Sequence, residues 1–191
     1  MKHQIFNKEL NLIQNDRLRN SAITLLELLP DYFFIIPASS TGKYHPEFAL
    51  GEKGLVRHTK VAVKIANEII KTKTIGDVFT NDEKDLILIS LLLHDGLKEG
   101  IEQEKYTCFD HPVLMADFII KNKEKTTFTE EEIKMISSNI ASHMGEWNTN
   151  NFSKVVLPLP KNKYQKMVHM CDLLSSRKFL TVDFDKDDII E

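Results

Sequence analysis

Leu86-Ile87-Leu88-Ile89-Ser90-Leu91-Leu92-Leu93-His94-Asp95-Gly96-Leu97-Lys98 is the stretch on which the fold turns. From Leu86 to Leu93 it is apolar nearly all round, which suits a helix buried on every side. It is far shorter than the ~20 residues a membrane-spanning helix needs. Thr80 and Glu83 stand just upstream with the spacing of a capping box, so a central helix is expected from there to about His94. An imidazole and a carboxylate then stand side by side at the end of that helix. Burying either costs several kcal/mol unless it is paired or bound to metal. Nitrogen and oxygen donors together suit borderline or hard divalent ions. Taken alone, the pair is weak evidence, and a helix-end cap is the plainer reading.

Other helices follow outward from this one. Val61, Ala62, Ile65, Ala66, Ile69 and Ile70 make one apolar face of a helix over Leu55–Thr72. Asp110 or His111 can cap a helix that has Pro112 at its first position and runs to about Lys121. Thr129 and Glu132 repeat the capping-box spacing before a helix ending near His143. A loop from Gly145 to Pro160 leads to a last helix, Tyr164 to about Leu180. At the other end, Lys8–Leu29 shows helical periodicity up to Pro30. Ala38–Gly54, with Ser39, Ser40, Thr41, Gly42, Pro46 and Gly51, reads as a long ordered loop of the kind that often carries function. The expectation is an all-α chain: one helical bundle of about six to eight helices, residues 1–191 forming a single domain. Its core would span about 50–180, the helix 8–29 would pack on that core, and the acidic tail 181–191 would fray.

Composition limits the function classes. The 191 residues are 42% hydrophobic and 28% charged, ordinary for a soluble domain with a sizeable core. A net charge of −3 gives no global basic field, so duplex DNA is not an expected partner. A small anionic substrate or a short single strand stays open if positive charge is local. The two cysteines, Cys108 and Cys171, show no CxxC spacing and no disulfide framework, which favours a reducing, cytoplasmic setting. Met1–Asp16 is polar and mixed in charge, unlike a signal peptide, and no membrane association is expected.

Two further groups join the His94-Asp95 pair. His58 lies four residues before Ala62 and shares its helix's apolar face, where it is either a metal donor or a core histidine bonded to a carbonyl. Asp172 lies four residues after Val168, between Cys171 and Leu173, on or beside the core side of the last helix. A buried aspartate needs a cation, whether a metal, Arg177 or a helix N-terminus. His58, His94, Asp95 and Asp172 thus offer four metal-donor groups from three helices.

The ordered set resembles the HD-domain superfamily of metal-dependent phosphohydrolases. Gly54-Leu55-Val56-Arg57-His58-Thr59, Leu91-Leu92-Leu93-His94-Asp95 and His169-Met170-Cys171-Asp172-Leu173-Leu174-Ser175 carry the likeness, over about residues 50–180. The pattern is nearest to the HD module of YhaM-like 3′-to-5′ exoribonucleases, which have a stretch similar to His143-Met144-Gly145-Glu146-Trp147 before a proline loop. The resemblance implies that Asp95 bridges two ions, with His111 and His143 completing a second site. Read by themselves, His111 could cap a helix and His143 could face solvent at a helix end. Lys98 matches a lysine of some two-metal members. It would stabilise negative charge on phosphate beside Asp95, or else be a solvated lysine. Lys43 and His45 are candidate phosphate or base contacts in the long loop. Arg57 and Arg177 are candidates for phosphate or for structural ion pairs, and Trp147 for stacking on a base or for packing. His169, one turn before Asp172, is a candidate to orient a ligand. Cys171 reads as a packing residue, and His3 carries no expected role.

The expected function is therefore that of a metal-dependent phosphohydrolase or phosphodiesterase. It would cleave a phosphoester in a nucleotide, or in a short single-stranded or cyclic oligonucleotide. A divalent ion lowers the pKa of its water so that hydroxide is available near neutral pH. One or two ions are expected, of Mn2+, Mg2+, Fe2+, Co2+ or Ni2+. The alternatives are a deoxynucleoside triphosphate hydrolase or nucleotidase, and a non-catalytic module that senses a nucleotide. The chain has no Gly-Tyr-Pro signature of the cyclic-di-GMP-cleaving branch. No attached OB-fold is expected to deliver a long RNA strand, and association into a homo-oligomer stays open.

Overall fold

A computed structural model describes residues 1–190. Among these residues there are eight α-helices and one two-stranded hairpin, a mostly helical bundle. The helices are α1 (Asn7–Leu10), α2 (Asp16–Leu28), α3 (Gly54–Lys71), α4 (Lys73–Gly76), α5 (Asn81–Leu93), α6 (His111–Lys121), α7 (Glu130–Ala141) and α8 (Lys163–Ser175). None is long and apolar enough to cross a membrane.

The apolar stretch is the centre of the bundle. Every residue of α5 from Asp85 to Leu93 is buried, and α2, α3, α7 and α8 all pack against it, while α6 packs on α7. Full burial of a leucine stabilises by roughly 1.5–3 kcal/mol, so this helix supplies the largest single block of the core. Both capping boxes form. Thr80 Oγ1 accepts from Glu83 N at 3.2 Å and the Glu83 carboxylate accepts from Thr80 N at 2.8 Å. Thr129 and Glu132 repeat the arrangement with the same two distances. A third box, Asn162 with Gln165, starts α8.

The expected helix over 8–29 is two helices. The chain breaks after α1, and Asn15 caps α2 by accepting from the backbone N–H groups of Arg17 and Leu18. The freed N–H groups of Gln14 and Asn15 donate to the carboxylate of Asp85 at 3.0 and 2.8 Å. A buried carboxylate on α5 thus sets the break, because two backbone donors offset part of its desolvation.

The last helix ends at Ser175, five residues before the expected Leu180, with Ser176 in the C-cap position. The acidic tail does not fray. Strands β1 (Phe184–Asp185) and β2 (Asp188–Ile189) pair antiparallel, Phe184 opposite Ile189. Asp188 reaches Lys60 at 2.6 Å and Lys8 at 3.4 Å, and Asp187 reaches Lys53 at 2.5 Å. These acidic residues are ion-pair partners for basic groups on and before α3. Glu191, the last residue of the expected tail, lies outside the described residues.

Candidate metal centre

His58, His94, Asp95, His111, His143 and Asp172 come together where the ends of α5, α6 and α7 meet α3 and α8. His94 is the C-cap of α5, His111 opens α6 and His143 follows the C-cap of α7. Gly96, next to Asp95, packs closely: an added Cβ would lie 2.7 Å from Leu29 Cδ2 and 2.8 Å from Met115 Sδ. Asp110, the backbone N-cap of α6, makes no side-chain cap; its carboxylate accepts from Ser153 Oγ at 2.7 Å.

The orientation of the histidines follows from their Nδ1 partners. His94 Nδ1 faces Leu91 O, His111 Nδ1 faces Cys108 O and His143 Nδ1 faces Ile140 O, each at 2.7 Å. A carbonyl oxygen only accepts, so each Nδ1 carries the proton. His58 Nδ1 meets Ser175 Oγ at 3.2 Å, and that hydroxyl itself donates to Asp172 O at 2.7 Å. It too acts as acceptor toward the ring. In a neutral ring each Nε2 is then a lone pair; on His94, whose pKa the two carboxylates raise, a bound cation would have to displace a proton from Nε2.

Those lone pairs converge on carboxylate oxygens. His58 Nε2 lies 3.0 Å from Asp172 Oδ1 and 3.9 Å from Asp95 Oδ2. His94 Nε2 lies 3.3 Å from Asp172 Oδ1 and 3.4 Å from Asp95 Oδ2. On the other side of Asp95, Oδ1 stands 2.9 Å from His111 Nε2 and 3.5 Å from His143 Nε2. The two Nε2 atoms of His111 and His143 are 3.3 Å apart. His94 Nε2 and Asp95 Oδ1 are buried with no hydrogen-bond partner. Facing lone pairs at such distances repel unless a proton or a cation lies among them. Donors held at ~2.1 Å by one ion and subtending ~90–110° stand ~3.0–3.4 Å apart, the spacing seen here. Three groups could hold a metal ion: His58 with His94 and Asp95, His94 with His143 and Asp172, and Asp95 with His111 and His143.

The charge balance points the same way. Burial drives the Asp95 carboxyl up, but the Lys98 ammonium and the surrounding imidazoles outweigh it and hold it well below the usual range. Burial likewise opposes ionisation of Asp172, and its contacts with His58 and His94 win. Burial lowers His58, and pushes His111 down to about 4. For His94, burial disfavours the charged form but the Asp95 and Asp172 carboxylates raise its pKa above the ordinary value. Two carboxylates face one ammonium, which leaves a negative pocket suited to divalent cations. The side chain of Asp172 is 17% exposed, against 1% for His58 and Asp95, so the cluster opens on the α8 side.

The remaining candidates are placed as follows. Lys98 is not a solvated lysine: it is buried, with Nζ 2.6 Å from Asp95 Oδ2. His45 packs its ring edge-on against His58, centroids 5.1 Å apart. Lys43 is exposed and lies over the ring of Tyr44. Arg57 holds the preceding loop together, donating to Phe48 O, Leu50 O and Glu52 O, with Asp187 at 3.6 Å. That structural duty occupies Nε and Nη2. Arg177 does not pair with Asp172. It bonds Leu173 O and Ser176 Oγ and stacks over Trp147, 5.7 Å from the ring centroid, while Trp147 is 47% exposed. His169 donates from Nδ1 to His143 O at 2.7 Å, fastening the turn after α7 to α8. Only glycine fits at that turn, since Gly145 has φ +58 and an added Cβ would meet His169 Cε1 at 2.1 Å. Cys171 is a buried packing residue, and His3 pairs with Glu27.

Sequence reasoning gave Ser175 no role, yet it orients His58. Its position three residues after Asp172 was the available signal. Ser175→Ala should lower divalent-metal affinity about tenfold without unfolding the bundle, because outer contacts of metal-binding imidazoles typically carry that much. Isothermal titration with Mn2+ checks it, and unchanged affinity would show that Ser175 does not orient the ring.

Compared with known protein families, with curated proteins and with solved structures, the chain shows no match.

Proposed function

We propose that the chain is a metal-dependent phosphohydrolase of the HD type, cleaving a phosphoester in a nucleotide or a short single-stranded or cyclic oligonucleotide. The observation that carries this is the convergence of four imidazole Nε2 atoms on the two oxygens of one carboxylate. Asp95 turns Oδ2 toward His58 and His94 and Oδ1 toward His111 and His143. A carboxylate so placed would bridge two ions, with His58, His94 and Asp172 on one side and His111 and His143 on the other. The order of these residues along the chain, with Lys98 three after Asp95, supports the HD reading.

When bound, divalent ions supply Lewis acidity, acidifying a water and drawing charge from phosphoryl oxygens. The chain's own groups do the rest. The carbonyl anchors hold the proton on Nδ1 and keep each Nε2 aimed at the carboxylates. Lys98, held on Asp95, places a fixed positive charge beside the cluster, where it stabilises charge developing on a phosphoryl group. Burial of the donor set excludes bulk water and strengthens each of these interactions. The partial exposure of Asp172 leaves the entrance for a phosphorylated substrate.

The test starts from protein stripped with a chelator and titrated with Mn2+. Two ions per chain should bind, and hydrolysis of bis(p-nitrophenyl) phosphate should appear with them. A panel of short RNA, cyclic dinucleotide and mononucleotides then sorts the substrate class. Release of intact triphosphate from a deoxynucleoside triphosphate would move the assignment to the triphosphate hydrolases. Failure to bind metal, or binding without turnover on any of these esters, would overturn the proposal.

A further inference from the structure

His45 is an imidazole beside the cluster that the donor groups do not use. It lies in the segment between Pro37 and Lys53, whose later part is held by the Arg57 guanidinium on Phe48 O, Leu50 O and Glu52 O. Ala38 N and Leu55 N close the two ends of that segment on Ala49 O and Ile36 O, both at 3.0 Å. The loop is thus fastened to the residue next to His58, and it delivers the His45 ring edge-on to the His58 ring, 5.1 Å between centroids. The charged groups close enough to act on His45 are His58, Lys98, Asp172 and Asp95, all of them in the cluster.

His45 Nδ1 is buried and has no hydrogen-bond partner. Buried polar atoms without partners are rare, and each one calls for a missing group. Two other orphans, His94 Nε2 and Asp95 Oδ1, lie in the same place and belong to sets that could hold an ion. His45 belongs to none of those sets. Its Nδ1 is thus left for a group other than the donors that those sets bring together. We infer that His45 is a substrate-binding residue whose Nδ1–H donates a hydrogen bond to a phosphoryl oxygen held at the metal cluster. The inference rests on the phosphohydrolase reading and adds to it a contact from outside the donor set, carried by a loop that Arg57 fixes in place.

Orthophosphate is the probe. Its affinity for the Mn2+-loaded protein is measured by isothermal titration for the wild type, His45→Ala and His45→Asn, after Mn2+ stoichiometry and affinity have been measured for each. His45→Ala should bind Mn2+ as the wild type does and orthophosphate about tenfold more weakly, the usual effect of losing a hydrogen bond to a charged group. His45→Asn, which keeps a side-chain N–H donor, should recover part of that loss. In the Mg2+-loaded wild type, orthophosphate should shift the His45 ring 15N resonance. Equal orthophosphate affinity in His45→Ala and wild type would overturn the inference while leaving the metal reading intact. Loss of Mn2+ from both variants would overturn it by making His45 part of the metal site. A wild-type protein that binds no Mn2+ would remove the reading on which the inference stands.

Discussion

Asp95→Asn should abolish metal binding and hydrolysis together, with activity falling roughly a thousandfold or more, while the fold survives. Asp95 belongs to two of the three donor groups and turns one oxygen to each side of the cluster. Asparagine keeps its shape but loses the charge and replaces one oxygen with an N–H2 donor. That group would face histidine lone pairs on one side of the cluster and supply no ligand there. Far-UV circular dichroism should be unchanged, because Asp95 makes no contact on which the apolar core depends. Loss of the carboxylate leaves the buried Lys98 ammonium without its partner, so the melting temperature of the metal-free protein should fall. A variant that kept wild-type Mn2+ stoichiometry or turnover would remove Asp95 from the centre. pH acts on the same equilibrium. The His94 pKa is held above its ordinary value, so metal must displace a proton there near neutrality. Apparent Mn2+ affinity in the wild type should therefore rise between about pH 6 and 8.

Lys60→Ala should destabilise the fold by about 3–5 kcal/mol. The side chain of Lys60 is 0% exposed, with Nζ 2.6 Å from Asp188 Oδ1 and 3.4 Å from Glu9 Oε2. Burial already raises the Glu9 pKa above the usual value, even with Lys60 beside it. Removing the ammonium leaves a buried carboxylate without a cation and also frees the β1–β2 hairpin from α3. Urea titration measures the loss. A double variant, Lys60→Met with Glu9→Leu, should regain most of it, because a matched apolar pair carries no unpaired charge. A loss under about 1 kcal/mol in the single variant would show that water reaches the pair. Since Lys60 is two residues from His58, the double variant also tests whether the hairpin affects metal affinity.

The elements legible in the sequence were those written in local chemistry. Thr80 with Glu83, Thr129 with Glu132, and Pro112 state their helix starts within four residues, and the apolar run from Leu86 leaves α5 nowhere to go but the centre. The features that were missed depend on distant partners. Asn15 is a local cap signal, but the group that fixes the break, Asp85, lies 70 and 71 residues away from the two N–H groups it accepts. The tail appeared frayed because Lys60 and Lys53, which hold it, are 128 and 134 residues upstream. At the candidate centre the donor residues could be named because their side chains carry the chemistry. The loop-holding duty of Arg57 was not legible because its partners are backbone carbonyls, which no sequence pattern displays. His45 was half legible: its loop marked it as a candidate contact, but not that its ring would lie against His58.

The Nδ1 anchors have one more consequence. His94, His111 and His143 each bond the carbonyl three residues earlier, and every amino acid supplies that carbonyl. Leu91, Cys108 and Ile140 can drift to other residues without loosening an imidazole, so long as the local turn holds. Only His58 relies on a side chain, the Ser175 hydroxyl. In a saturation library, tolerance around three of the imidazoles should follow packing alone, and the serine should be the single outer position where genetic drift reaches the metal.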